Sequence, residues 1–363
     1  MFFITNGLFF PENRINFVRY QKMEKKRITF IVNPISGTKR KDDIVQSINK
    51  VLNKDFFEYE ILYSEHAGHA GQLSRIAAYE GKNIVVAVGG DGTVNEVASG
   101  LIGTETALGI IPCGSGNGLA RHLQIPLTGK RAVEIINQCS IEKLDYGKVC
   151  GEPFFCTCGM GFDAYVSYKF TEAKKRGVLT YLEQALTEWL RYKPETYIVE
   201  DETGSKTYKA FLITCANASE YGNNAYIAPQ ASMDDGLMDV TVIEPFNAFE
   251  APQLALQLFS KTLHTGSYVQ MFRTNKLSIH RSGPGVIHRD GDPVFAGENV
   301  NVEIVHEGIN VVINPNAEMQ KETILQSLAT FAVGLQEKGL EFATKNNPLA
   351  ALNKNFFDKF YKK

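Results

Sequence analysis

The sequence predicts an α/β domain built on a mostly parallel sheet, joined to a β-rich, antiparallel, sandwich-like domain. Three observations carry that expectation. Strand and helix patterns alternate about four times between residues 27 and 123, as in layered α/β folds. Short period-two segments replace them beyond about residue 145. The 363-residue length suits two domains at roughly 150 residues each. The expected organisation is an extension over 1–23, an α/β domain over 24–145, a β-rich domain over 146–315 and a helical tail over 316–363. The last strands of the β-rich part are candidates to return to the first domain.

Residues 27–33 read as a buried strand, ended by a loop from Pro34 to Gly37. Ile44, Ile48, Val51 and Leu52 place a helix over 42–53. Residues 58–63 alternate as a strand, and a helix is expected over 68–80. The continuous apolar run at 83–88 suits a strand covered on both faces. Gly89-Gly90-Asp91-Gly92 ends it, and Thr93 opens a helix with Val94, Val97, Ala98 and Leu101 on one face. A strand at 107–112 precedes CGSGNG and a short helix over 118–123. The second half offers strands at 153–158, 195–201, 206–215, 237–243, 276–281, 300–305 and 309–313. Asp201-Glu202-Thr203-Gly204 signals a hairpin. Helices are expected over 178–192, with Trp189 in the core, and over 248–263. The tail carries a helical stripe from Ile324 to Leu335 and a second apolar group from Leu349 to Phe360 among lysines.

Thirty-eight Lys+Arg against 40 Asp+Glu give a formal charge of −2, which excludes a chain built as a basic nucleic-acid binder. Six cysteines show neither C-x-x-C nor zinc spacing, so reduced thiols in a cytoplasmic protein are expected. No apolar run reaches the roughly 18 residues of a membrane span. The first 22 residues lack a basic start and a continuous apolar stretch and make a poor signal peptide; they read either as a leader or as a misassigned start ahead of Met23.

Three loops carry the chemistry: Asn33-Pro34-Ile35-Ser36-Gly37, Gly89-Gly90-Asp91-Gly92-Thr93 and Gly114-Ser115-Gly116-Asn117-Gly118. Each follows a strand, so in a parallel sheet all three reach the same edge, where ligands bind. Glycines let backbone N–H groups approach phosphate, and the following helices present positive ends. The chain has neither a Walker sequence nor G-x-G-x-x-G, which excludes a P-loop and weakens a dinucleotide reading. Asp91 is the informative residue: a bare carboxylate repels phosphate, so its place there points to a bridging Mg²⁺. The competing reading has Asp91 capping the helix that opens near Thr93.

The set resembles the diacylglycerol kinase catalytic domain family, lipid kinases that include bacterial diacylglycerol kinases, sphingosine kinases and ceramide kinases. The resemblance runs from about Lys26 to Pro315 and rests on five segments. These are N-P-x-S-G at 33–37, S-x-x-x-G-H-A at 64–70, V-G-G-D-G-T-V-N-E at 88–96, I-P-C-G-S-G-N at 111–117 and D-G-D-P at 290–293. It implies that Asn33, Pro34, Ile35, Ser36, Gly37, Ser64, Gly89, Gly90, Asp91, Gly92, Thr93, Val94, Asn95 and Ser115 hold ATP. Asp91 would serve a catalytic Mg²⁺. Ser232, Asp235 and Leu237 resemble the family's structural-metal loop, Ser232 and Leu237 through backbone carbonyls; a hairpin turn is the competing reading. Asp290 and Asp292 share the role of base toward the lipid hydroxyl; Asp163 resembles a position near the lipid head group in sphingosine kinases, where it would pair with an amino group, and a solvated strand-end Asp is the competing reading.

Two departures stand out. Asp292 occupies a position where the family usually has Glu, and Gly118 one where bacterial diacylglycerol kinases usually have Asp. Sphingoid-base kinases tend to have a small residue at the latter. The resemblance implies ATP, Mg²⁺ and a membrane lipid as partners of a cytoplasmic, peripherally membrane-associated enzyme, and leaves a homodimer open. The competing readings are a soluble-substrate kinase of the NAD-kinase type and a lipid-binding module without catalysis.

Overall fold

The computed structural model describes residues 24–37, 41–172, 192–247 and 249–317. The expected helix around Trp189, the tail stripes and the extension fall outside those residues. Strands β1 (Lys26–Val32), β2 (Phe57–Tyr63), β3 (Ile84–Gly89) and β4 (Ala107–Pro112) run parallel in the order β2-β1-β3-β4. Every residue of β3 and β4 is buried, because helices cover both faces. On one face α1 (Lys41–Val51) packs with α5 (Gly129–Gln138); on the other, α2 (His69–Tyr79) packs with α3 (Asp91–Leu101). A short α4 (Gly118–His122) follows β4. The sequence reading passed over α5, although Ala132, Val133, Ile135 and Ile136 repeat at helical spacing and are buried.

Two long strands tie the halves together. β5 (Ile141–Val149) contains residue 145 at its middle. β16 (Asn299–Val312) is one strand where two were expected; its register with β5 shifts between Val305 and Ile309, and Glu307 there has φ 49°. Its end pairs in parallel with β4 through Val311 and Leu108, while its start pairs with β13 (Lys276–Arg281). β8 (Glu195–Asp201) and β9 (Gly204–Ala210) complete this ten-stranded sheet as the expected hairpin, with β6 (Glu152–Phe154) beside β5.

The second sheet is antiparallel. Its order is β12 (Val269–Thr274), β11 (Met238–Ile243), β10 (Leu212–Ala216), β7 (Thr157–Gly161), β14 (Gly285–Arg289) and β15 (Asp292–Ala296). The stretches 153–158 and 206–215 each split, since the chain changes sheet between β6 and β7 and again at Phe211. Val149, Met160, Ile213, Val240, Leu277 and Ile287 fill the space between the sheets. Helices α6 (Phe162–Glu172) and α7 (Ala251–Phe259) complete the described elements.

Candidate active site

The three loops close over the ends of β1, β3 and β4. Their contact is so tight that side chains are excluded: a Cβ on Gly37, whose φ is 64°, would stand 1.7 Å from the Cys113 carbonyl oxygen. A Cβ on Gly114 would come within 2.7 Å of the Gly90 Cα, so these two loops touch backbone to backbone. Asn33 bridges the first two loops, donating from Nδ2 to Thr93 Oγ1 at 3.0 Å. Asn117, in the left-handed region at φ 54°, accepts from Gly114 N–H at 2.9 Å and returns Nδ2–H to the Gly114 carbonyl at 2.8 Å. Pro34, Ile35, Gly92 and Ser115 stay exposed along the rim, while Ser64, Thr93 and Val94 are buried beneath it.

Asp91 opens α3 and does not cap it; Gly90 occupies the cap, and the helix starts two residues before the expected Thr93. Its carboxylate reaches the third loop, accepting from Asn117 N–H at 2.9 Å and Gly118 N–H at 2.7 Å. Burial pushes its carboxyl above the usual range, the two N–H groups pull it down, and the Asp290 charge raises it. Its own N–H also bonds the carboxylate, which still keeps a lone-pair site and so fits a Mg²⁺ ion that takes a carboxylate together with phosphate and water.

Asp290 and Asp292 flank the turn between β14 and β15. Asp290 and Gly291 have φ 48° and 88°, the positive pair of an Asp-Gly hairpin turn. That turn aims the two carboxylates differently. The Asp290 oxygens accept four hydrogen bonds, from Asn95 Nδ2 at 2.7 Å and from the N–H groups of Phe155, Cys156 and Thr157 at 2.9, 2.8 and 3.1 Å. Their capacity is spent on joining α3 to the turn ahead of β7. Asp292 is exposed, and its Oδ2 stands 4.0 Å from where a Cβ on Gly92 would lie. Its recess among protein atoms raises its carboxyl above the usual range; Asp290, Asp91 and Glu96 add to this and Arg289 opposes it.

The remaining expected residues stand apart from this cluster. Asp235 is ion-paired to Arg273, whose Nε also reaches Asp239 at 3.3 Å; Leu237 donates its N–H to Asp235, and the Ser232 hydroxyl bonds Asp234. In this loop the Asp235 carboxylate is engaged by the Leu237 N–H and the Arg273 guanidinium, one on each oxygen. Among the described residues no group of three or more His, Cys, Asp or Glu is arranged to hold a metal ion. Asp163 is no solvated strand end either. It lies in the first turn of α6, buried, and accepts from Ala164 N–H at 2.7 Å and from the Thr214 and Tyr221 hydroxyls at 2.9 Å, with His288 Nε2 at 3.0 Å.

Sequence reasoning missed three positioning groups. Glu96 accepts from Gly68 and Ala70 N–H at 2.8 and 3.1 Å and so holds the start of α2. Asp145, wholly buried, accepts from Gly236 and Glu307 N–H at 2.7 and 2.8 Å beside His306 Nδ1 at 2.8 Å. His122 receives Ser219 N–H on Nδ1 at 3.1 Å, and burial pushes its pKa down to about 4 with Asp234 opposing, so it serves as a neutral link. The final Glu of the G-G-D-G-T segment was the one signal present in a motif.

Residues 27–149 match the model of the diacylglycerol kinase catalytic domain, and residues 156–313 match that of the YegS C-terminal NAD kinase beta sandwich-like domain. The chain belongs to the diacylglycerol kinase catalytic-domain family of lipid kinases. The diacylglycerol kinase of Mycobacterium tuberculosis is 28% identical over 285 residues, 75% of this chain and 90% of that protein. The diacylglycerol kinase of Bacillus subtilis is 28% identical over 290 residues, 76% and 94% of the two chains. A crystal structure of a diacylglycerol kinase from Bacillus anthracis superposes with a TM-score of 0.65 at 18% identity, covering 82% of this chain and all of that one. That likeness carries the lipid-kinase fold. No described helix is long and apolar enough to cross a membrane.

Proposed function

We propose that this lipid kinase transfers the γ-phosphoryl group of ATP, with Mg²⁺, to the free hydroxyl of diacylglycerol at a membrane surface. The single observation that carries the reading is the split between the two turn carboxylates. Asp290 is consumed by four hydrogen bonds, while Asp292 is exposed beside Gly92 at the mouth of the Gly-rich loop.

Phosphoryl transfer asks mainly for alignment and charge stabilisation. The rim of Asn33 to Gly37, Gly89 to Gly92 and Ser115, with Ser64, Thr93 and Val94 beneath it and Asn95 beside it, offers backbone N–H groups and small hydroxyls to the ATP phosphates. Asp91 would hold Mg²⁺, which when bound neutralises charge developing on the transferred phosphoryl. Asp292 takes the lipid hydroxyl proton as the oxygen bonds to the γ-phosphorus and the bond to the ADP oxygen breaks. Asp290 fixes the turn that aims it. A neutral head group is favoured over a sphingoid amine, because Asp163, the acid suggested for an amine, already accepts Ala164, Thr214, Tyr221 and His288.

The purified protein, given Mg-ATP, is offered diacylglycerol, sphingosine and NAD in detergent micelles. Labelled phosphatidic acid is the expected product. Labelled NAD phosphate would overturn the lipid reading, and silence with every lipid would make the protein a binding module.

A further inference from the structure

A buried polar row crosses the outer face of the second sheet, built around a missing side chain. Thr214 on β10, Gly159 on β7 and His288 on β14 are opposed in turn, and Pro293 on β15 is opposed to His288. Opposed residues share a face. Their neighbours Ile213, Met160 and Ile287 fill the inter-sheet core, so the row lies on the other face, where α6 packs against β7, β14 and β15. Gly159 leaves a hole in the row: a Cβ there would stand 2.7 Å from Asp163 Oδ2 and 2.8 Å from His288 Nε2. The Asp163 carboxylate, from the first turn of α6, fills that hole. Its Oδ2 joins the strands on either side, Thr214 Oγ1 at 2.9 Å and His288 Nε2 at 3.0 Å.

The cluster reaches both sides of the cleft. The Tyr221 hydroxyl lies 2.9 Å from Asp163 Oδ2 and 2.6 Å from Thr214 Oγ1. The Tyr221 backbone rests on the third Gly-rich loop, its carbonyl oxygen 3.3 Å from where a Cβ on Gly118 would stand. Gly118 N–H in turn bonds Asp91. On the other side, His288 precedes Asp290 by two residues, and Pro293, opposite it, follows Asp292. Stability alone is a poor reason for this histidine. Facing a carboxylate, Nε2 carries the hydrogen. Nδ1 is buried and meets no hydrogen-bond partner among the described residues, a cost that an apolar side chain would avoid.

We propose that His288 is a positioning residue: through Asp163 and Tyr221 it fixes the hairpin that holds Asp292 against the Gly-rich loops. The assignment rests on the kinase reading above. His288 acts through the hairpin and takes no part in the transfer itself.

Three variants test it, assayed with Mg-ATP and dioleoylglycerol micelles well below their unfolding temperatures. In His288→Leu kcat falls about tenfold to 100-fold, the loss that follows when reacting groups shift by about 1 Å, while the KM values for ATP and lipid hold. His288→Gln, whose amide N–H can meet the carboxylate, regains most of that loss. Tyr221→Phe removes one hydroxyl and keeps the ring, so it decides the matter if the leucine variant does not fold. It lowers kcat and speeds amide hydrogen exchange across residues 289–296 several-fold, read by mass spectrometry against β1. Wild-type kcat in folded His288→Leu, an equal loss in His288→Gln, or unchanged exchange in Tyr221→Phe overturns the positioning role and leaves the kinase reading standing. Faster exchange in Tyr221→Phe, in a protein that phosphorylates no lipid, sustains the tie to the hairpin and overturns the kinase reading.

Discussion

Replacing Asp290 and Asp292 by asparagine, one at a time, separates positioning from chemistry. Asn at 290 turns one acceptor oxygen into a donor. If the amide nitrogen takes the Oδ1 place, it opposes the N–H groups of Cys156 and Thr157; if the Oδ2 place, those of Asn95 and Phe155. Either way two donors lose their acceptor. At about 1–3 kcal/mol for each donor left unmet, the variant loses about 2–6 kcal/mol, a large share of the roughly 5–15 kcal/mol that holds a domain folded. At about 2–4 °C per kcal/mol, that is a fall of about 5–20 °C in Tm by thermal unfolding. Asp292 contrasts with it, because no hydrogen bond holds its carboxylate among the described residues. Asp292→Asn therefore unfolds at or slightly above the wild-type temperature at pH 7 while kcat falls about 10²–10⁴-fold, the usual share of a general base. The stability gain disappears in acid, since a carboxyl raised in the folded state costs stability only where it is ionised. An Asp290→Asn protein with wild-type Tm and no activity, beside an active Asp292→Asn protein, would refute the assignment.

Four further outcomes follow from the same contacts. Asp91→Asn sets an amide against the Asn117 or Gly118 N–H and leaves Mg²⁺ without its carboxylate; kcat falls at least about 100-fold and half-saturating Mg²⁺ rises, while full retained activity defeats the metal assignment. The acid limb of kcat/KM lies above the ordinary aspartate range, and Arg289→Met moves it to higher pH, because Arg289 is the neighbour that lowers the Asp292 carboxyl. Arg273→Met strips the partner from Asp235 and Asp239 and costs about 1–2 kcal/mol at pH 7 in this half-exposed pair; the loss shrinks in acid as the carboxylates protonate. Gly118→Asp places a Cβ 3.3 Å from the Glu220 and Tyr221 carbonyl oxygens and lowers stability by about 1–3 kcal/mol in denaturant unfolding.

The parallel half was legible because its apolar runs are long and its glycine loops stand where strands end. α5 was illegible although its spacing is regular, because it is only 10 residues long and Lys130, Arg131 and Glu134 interrupt its apolar positions. The β-rich half was legible as a class and illegible in detail: β12, β14 and β15 are short, and β15 lacks alternation because Val294 and Phe295 are both exposed. The site followed the same divide. D-G-D-P was found as a segment, but which carboxylate is free depends on Phe155, Cys156 and Thr157, some 135 positions away, and no local pattern encodes that. The Arg273 guanidinium against Asp235 was illegible for the same reason: it lies 38 residues downstream.

On the proposed reading, backbone N–H groups and one carboxylate that would hold a cation let a near-neutral chain face the ATP phosphates locally. The same reading makes a more demanding requirement: ATP on one domain and the acceptor on the other would have to meet in register. β5 and β16 run through both halves, so the domains share backbone ladders and are not hinged on a linker. Shorter ties then set the spacing: Asn95 to Asp290 at 2.7 Å, Arg121 Nη1 to Asn224 Oδ1 at 2.8 Å, and His122 to Ser219. The Gly118 loop adds backbone contact with residues 220 and 221. Phosphoryl transfer gains most from reacting groups already held close, and a cleft braced at both ends holds Asp292 against Gly92 before any ligand arrives. The departure at 118 then has a local reason: glycine is what lets the second domain's loop press onto the third Gly-rich loop.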